Sequence, residues 1–175
     1  MRSESSPVAV VIHSAASIDP ALRDELEAWD EEQFGQIPYQ WTPAEWYAEA
    51  RIEGRLAGAL EIVTRKVRVG TEAARVAGIG GVKTKPEFRL RGVASAMLSA
   101  AAQLMRDRPD VEFGLLICQR RVAPVYEKAG WVQVGGPTQF AQPSGMITYP
   151  YDTMVLQLNS REWPGGAINL CGPPW

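Results

Sequence analysis

Two groups of residues in this chain have types and spacings suited to chemistry. The first is Arg89-Leu90-Arg91-Gly92-Val93-Ala94, a basic turn between an apolar, Gly-rich stretch (76–84) and a small-residue run at helical spacing (92–106). Backbone N–H groups at a helix start have no partner within the helix, and the helix dipole adds partial positive charge there. Gly92 lets a bulky anion approach the backbone, and Arg89 and Arg91 add full charges, so the turn suits a pyrophosphate. The pattern Arg-x-x-Gly-x-Ala is short, and by spacing alone it equally fits a solvated basic helix start. The second group is Asp30-Glu31-Glu32, three acids in a row whose plainest reading is a solvated helix terminus. The single histidine, His13, falls in a β-branched run and reads as structural. Cys118 and Cys171 have no metal-like spacing, and reduced thiols in a cytoplasmic protein fit them best. No metal is expected.

The elements that must hold these groups follow from periodicity. Residues 1–6 read as a disordered lead and 8–13 as a first strand. Asp19-Pro20 opens a helix with Asp19 as N-cap, and Leu22, Leu26 and Trp29 recur at helical spacing on its core face. Thr42-Pro43-Ala44-Glu45 reads as a capping box opening a short helix through Trp46 and Tyr47. Gly54 turns the chain after a short second strand, and residues 56–69 and 73–84 form an antiparallel hairpin about Gly70-Thr71. Gly78, Gly80 and Gly81 mark a bulge or a close backbone approach in its second strand. A buried strand (111–118), a helix (119–129) closed by Gly130, a Gly/Pro-rich irregular segment (135–150) and a last strand (152–158) follow. Residues 159–175 read as an irregular tail, and the whole of 1–175 as one domain. A net charge of −2 argues against a nucleic-acid surface, and no apolar run suits a membrane span.

The succession of strand, Arg-x-x-Gly-x-Ala helix, strand, and a helix with Tyr126 four residues before Gly130-Trp131 resembles the GNAT superfamily of acyl-CoA-dependent N-acyltransferases over residues 55–134. Over 56–144 the likeness narrows. Val63-Thr64-Arg65-Lys66-Val67, Arg75, Gly81-Val82, residues 93–98, Gly136-Pro137-Thr138 and the final Trp175 are similar to the aminoglycoside 2′-N-acetyltransferases. The Trp-Pro and Gly-Pro elements of the tail also resemble nodulation-factor N-acyltransferases. The resemblance implies an α/β (α+β) GNAT fold: a mixed sheet of about six to seven strands, splayed at a bulge and flanked by about four helices. It implies acetyl-CoA as acyl donor, with Arg89, Leu90, Arg91, Gly92, Val93, Ala94 and Ser95 on the pyrophosphate. The pantetheine would lie along the main chain of Val82, Lys83 and Thr84, with Gln119 in the place of the usual asparagine. Arg120 and Arg121 would either reach adenosine phosphates or start a solvated helix.

For the acceptor, the resemblance implies an amino sugar and an antibiotic-resistance role. Two carboxylates of the family are missing: Gly80 stands where the sheet carries a glutamate, and Pro173 where the tail carries an acid. Glu61 on the neighbouring strand would return one, which suits a weakly cationic acceptor of the kasugamycin type. Tyr126 matches the family's general acid. Glu61 and the terminal carboxylate of Trp175, with the tail folded back on the acceptor site, are the first candidates for the base. Asp152 and the acidic group with Asp30 and Glu31, which borders the acceptor site in this fold, come next. Acylation of another small amine, transfer of a longer acyl chain and a non-catalytic acyl-CoA-binding module remain the alternatives, and a homodimer through a late edge strand is compatible.

Overall fold

β-branched residues recur along the long strands, as in Ile62-Val63-Thr64, Val67 and Val69, where they fit a pleated sheet. The computed structural model of the protein describes residues 6–175, which form one mixed sheet of ten strands carrying three α-helices. The elements are β1 (Ala9–Ser14), α1 (Pro20–Phe34), β2 (Trp46–Ile52), β3 (Arg55–Val69), β4 (Glu72–Thr84), α2 (Val93–Arg106) and β5 (Phe113–Cys118), then α3 (Ala123–Glu127), β6 (Val132–Val134), β7 (Thr138–Gln142), β8 (Gly145–Thr148), β9 (Asp152–Gln157) and β10 (Ile168–Asn169). The strands run in the order β1-β2-β3-β4-β5-β9-β6, and the far end of β3 carries a second branch, β10-β7-β8. Only β4–β5 and β10–β7 are parallel pairs. The lead at 1–6 lies outside the described residues apart from Ser6, whose hydroxyl donates to Glu53 Oε1.

Alternation along β3 divides the core between two faces. Leu60 and Ile62 meet Val93, Met97, Leu98 and Ala101 of α2, together with Ile79 and Leu116. Ala59 points the other way, into a cluster with Leu26 and Trp29 of α1 and Tyr47 of β2. α1 starts as the sequence predicts: the Asp19 carboxylate accepts from the Ala21 and Leu22 amides, and Pro20 needs no partner there. At the other end, Gly35 closes it with a positive φ of 75°.

Two local expectations fail. The capping-box segment at Thr42 is extended, and Trp46 and Tyr47 open β2 instead of a helix. The Glu45 carboxylate does not cap its own chain. It accepts from the Thr64 amide and hydroxyl at 2.9–3.1 Å, and Glu45 N–H donates to Ile62, so cross-strand bonds outbid the local ones. The segment 135–150 is not irregular either. β7 and β8 pair as a hairpin, and β10 of the tail joins β7 to β3. Its organising residue is Phe140, fully buried, with ring centroids of Tyr39 and Tyr149 at 5.0 and 4.5 Å. These late strands raise the count above the expected six to seven, within the same fold class.

Phe140→Ala should destabilise the protein by about 3–5 kcal/mol, measured by urea unfolding. An effect under about 1 kcal/mol would mean the β7–β8 branch adds little to the folded state.

Candidate active site

The site begins with one extra residue in β4. Ala59 pairs with Lys83 and Glu61 with Gly80, so Gly81 and Val82 together face Leu60 alone. Gly81 has φ 59°, the left-handed conformation that a bulge of this type needs at its first residue. The bulge coincides with a parting of the sheet. β5 pairs with β4 only from Val76 to Ile79, and residues 80–84 run on without it. The β4 edge at residues 80–84 is therefore free of β5, and the bulge falls at the glycines that mark it.

The basic turn lies just beyond. Gly92 caps α2 with φ 78° and nothing within 4 Å of the position its Cβ would occupy. Among the described residues, no group accepts from the Val93, Ala94 or Ser95 amides, and no side chain caps the helix. Arg89, Leu90 and Arg91 are exposed, and Leu90 also has a positive φ, 61°. Free amides, a bare glycine and two guanidinium groups fit a pyrophosphate, and the gap beside β4 fits the arm of a coenzyme A.

On the α1 face, acids gather at the bulge. Glu61 lies directly across from Gly80, beside Asp30 of α1. A Cβ on Gly81 would stand 3.2 Å from Asp30 Oδ1 and 3.6 Å from the Glu61 carboxyl carbon, so this glycine keeps the two carboxyls together. Burial, reinforced by the Asp30 charge and a hydrogen bond to it, pushes the Glu61 pKa up to about 7, against a lowering pull from Lys83. Burial and the same acids also raise the Tyr47 phenol. The tail completes this wall. Arg65 donates to Leu170 and Pro173 carbonyls and lies 5.4 Å over the Trp175 ring, while Thr42 N–H holds Pro174 O at 2.7 Å. The Trp175 indole and its main-chain carbonyl carbon thereby lie on Gly78 and Gly80, where Cβ atoms would fall 1.9 and 2.9 Å from them. The side chain absent at position 80 is the room that Trp175 fills.

The other predicted residues are distributed as follows. Tyr126 is buried on the α2 face near Cys118, and burial pushes its phenol up to about 12. Gln119 is exposed at the end of β5, with its carbonyl oxygen accepting from Arg121. Asp152 pairs in register with Cys118, which places it on the face away from Glu61, and it meets Arg120 at 3.3 Å. Glu31 points outward and accepts from Gln36. Glu61, Asp30, Gly80 and Trp175 therefore come together, while Asp152 and Glu31 do not join them. The Lys83 side chain is buried under α1, so only its backbone edges the cleft. Its buried role was missed; the available signal was a lysine amid small apolar residues at a strand position next to a bulge.

A family profile described as "Acetyltransferase (GNAT) domain" matches residues 25–134, more than half of the chain. The chain belongs to the GNAT family. Acetyl-CoA is the acyl donor of GNAT acetyltransferases, in keeping with the free amides and the cleft. A 113-residue stretch is 26% identical to an aminoglycoside 2′-N-acetyltransferase of Mycolicibacterium fortuitum, covering 65% of this chain and 57% of that relative. Among solved structures, Escherichia coli ElaA superposes with TM-score 0.63 at 11% identity, covering 86% of this chain and all of that one. An acyl-CoA N-acyltransferase from Pseudomonas aeruginosa gives 0.61 at 17% identity, covering 86% and 99%. These two likenesses are of fold.

Gly78→Ala should push Trp175 off β4 and destabilise the protein by about 1–3 kcal/mol. Gly135→Ala, with nothing within 4 Å of its Cβ, should change stability by less than about 0.5 kcal/mol. Equal urea midpoints for both variants would contradict the packing of Trp175 on this strand.

Proposed function

We propose that this GNAT domain transfers an acetyl group from acetyl-CoA to an amino group of an aminoglycoside or related amino sugar antibiotic, a resistance activity. The observation that carries the reading is the half-buried Glu61 carboxyl, with a pKa near neutrality, beside the bulge where β4 parts from β5. Acetyl-CoA supplies an activated thioester, and the amine must lose a proton to attack it. Glu61, helped by Asp30, is the group that takes that proton. The main-chain N–H near Val82 faces the developing oxyanion. Tyr126 donates to the departing sulfur, and its raised pKa keeps it protonated throughout the neutral range. Arg89, Arg91 and the amides of residues 92–95 hold the pyrophosphate, while the backbone of 82–84 aligns the pantetheine. The room that Trp175 takes over Gly78 and Gly80 favours a short acyl group.

The 26% identity to the Mycolicibacterium acetyltransferase supports the amino sugar class. Of the acids gathered at the bulge, Asp30 is already paired with Lys83, which favours a weakly cationic acceptor, because each ammonium of a polycation needs its own charge-assisted partner. Glu25 and Glu32 line a separate groove between α1 and Lys85-Pro86, together with Trp29.

Thiol release from acetyl-CoA should be stimulated by a weakly cationic amino sugar antibiotic more than by polycationic ones. Turnover should fall as pH drops below about 7, because the base is then protonated. Tyr126→Phe and Glu61→Gln should each lower kcat by about 10² or more, and Glu61→Gln should abolish the loss at low pH. Acetyl-CoA binding with no turnover on any member of the panel would overturn the assignment.

A further inference from the structure

Lys83 takes no side-chain part in the activity above, yet the fold goes to some length to place it. With an unbulged β4, Lys83 would pair with Gly58, whose missing Cβ points at Val93 and Met97 on the α2 face. A one-residue shift turns a strand side chain to the other face. The bulge brings Lys83 opposite Ala59, which packs with α1, and sends the lysine there. Its side chain is 1% exposed. The ammonium donates to Leu26 O at 3.0 Å, lies 5.2 Å over the Trp29 ring and is ion-paired with Asp30 Oδ1. The same residue therefore fastens the middle of α1 to the bulge and neutralises the carboxylate beside Glu61.

We propose that Lys83 is a positioning residue for proton transfer at Glu61: its ammonium offsets the Asp30 charge and fixes that side chain against the bulge, which lets Glu61 give up its proton to solvent at neutral pH and then accept one from the amine nitrogen. This rests on the reading of Glu61 as the base. Without the ammonium, two half-buried carboxyls in contact would compete for one negative charge, and their shared proton would be retained to higher pH. The charged and titratable groups facing Glu61 are Asp30 and Glu27 of α1, Tyr47 of β2 and Lys83 of β4. Of these, Lys83 is the cation.

The test combines a 13C NMR titration of the Glu61 carboxyl, without substrates, with pH profiles of kcat/KM. Lys83→Met should move both the Glu61 titration and the acid limb of activity upward by about one pH unit, a roughly fivefold loss at pH 7 that recovers as pH rises. Lys83→Arg should restore much of the shift. A merely structural lysine would lower activity equally at all pH values. Should Lys83→Met fail to fold with Asp30 left buried and unpaired, Asp30→Asn is compared with Asp30→Asn/Lys83→Met, which leaves neither charge alone. Glu61 must then titrate higher in the double variant. An unmoved Glu61 titration in these pairs overturns the proposal even if the enzyme turns over. A moved titration with no turnover on any amine supports the role of Lys83 and overturns the amino sugar activity instead.

Discussion

Everything at this site depends on one residue too many in β4. Gly81 takes a left-handed conformation that a side chain resists, and in return the strand bends away from β5 and its partners change face. The bend opens the cleft edged by backbone. The change of face sends Lys83 under α1 instead of into the α2 core, where an unpaired ammonium would be very costly. The absent Gly81 side chain also leaves space for Asp30 to approach Glu61. A binding cleft, a charge pair and a carboxyl with a near-neutral pKa thus have a common cause.

The two halves of the site use different physics. At the start of α2, unsatisfied amides and exposed arginines are left solvated, open to an anion that brings its own charge. At the bulge, two half-buried acids meet a buried lysine, and their energies depend on one another. A buried ion pair such as Lys83–Asp30 adds little net stability compared with an apolar replacement, although losing one member is costly. Its value lies in fixing where charge sits. The tail adds a third contribution: Arg65 and Thr42 clamp residues 170–174, and Trp175 roofs the two small residues of β4.

Much of this was legible in the sequence because local signals and tertiary needs agreed. Asp19-Pro20 caps α1, Gly70 turns the β3–β4 hairpin, and the glycines at 78, 80 and 81 mark a bulge and a close approach, all as their chemistry suggests. Where long-range pairing overrode local pattern, reading failed. Thr42 to Glu45 has a helix-start pattern, yet Glu45 is drawn to Thr64, and Trp46 and Tyr47 to strand partners on both sides. Glycine and proline around 135–150 hid a hairpin that Phe140 holds from within. Asp152 illustrates a subtler limit: its element was correctly read as a strand, but which face it occupies depends on the register with Cys118, set by the whole sheet.

The central claim is that the β4 bulge and the start of α2 form one acetyl-CoA cleft with Glu61 at its inner end. Titrating acetyl-CoA into 15N-labelled protein and following backbone amides tests it most directly. The account predicts the largest shifts at Val82, Thr84 and residues 92–95, with smaller ones at Gln119 and little change along β7 and β8. Shifts concentrated away from the parting of β4 and β5, or none at millimolar ligand, would contradict it.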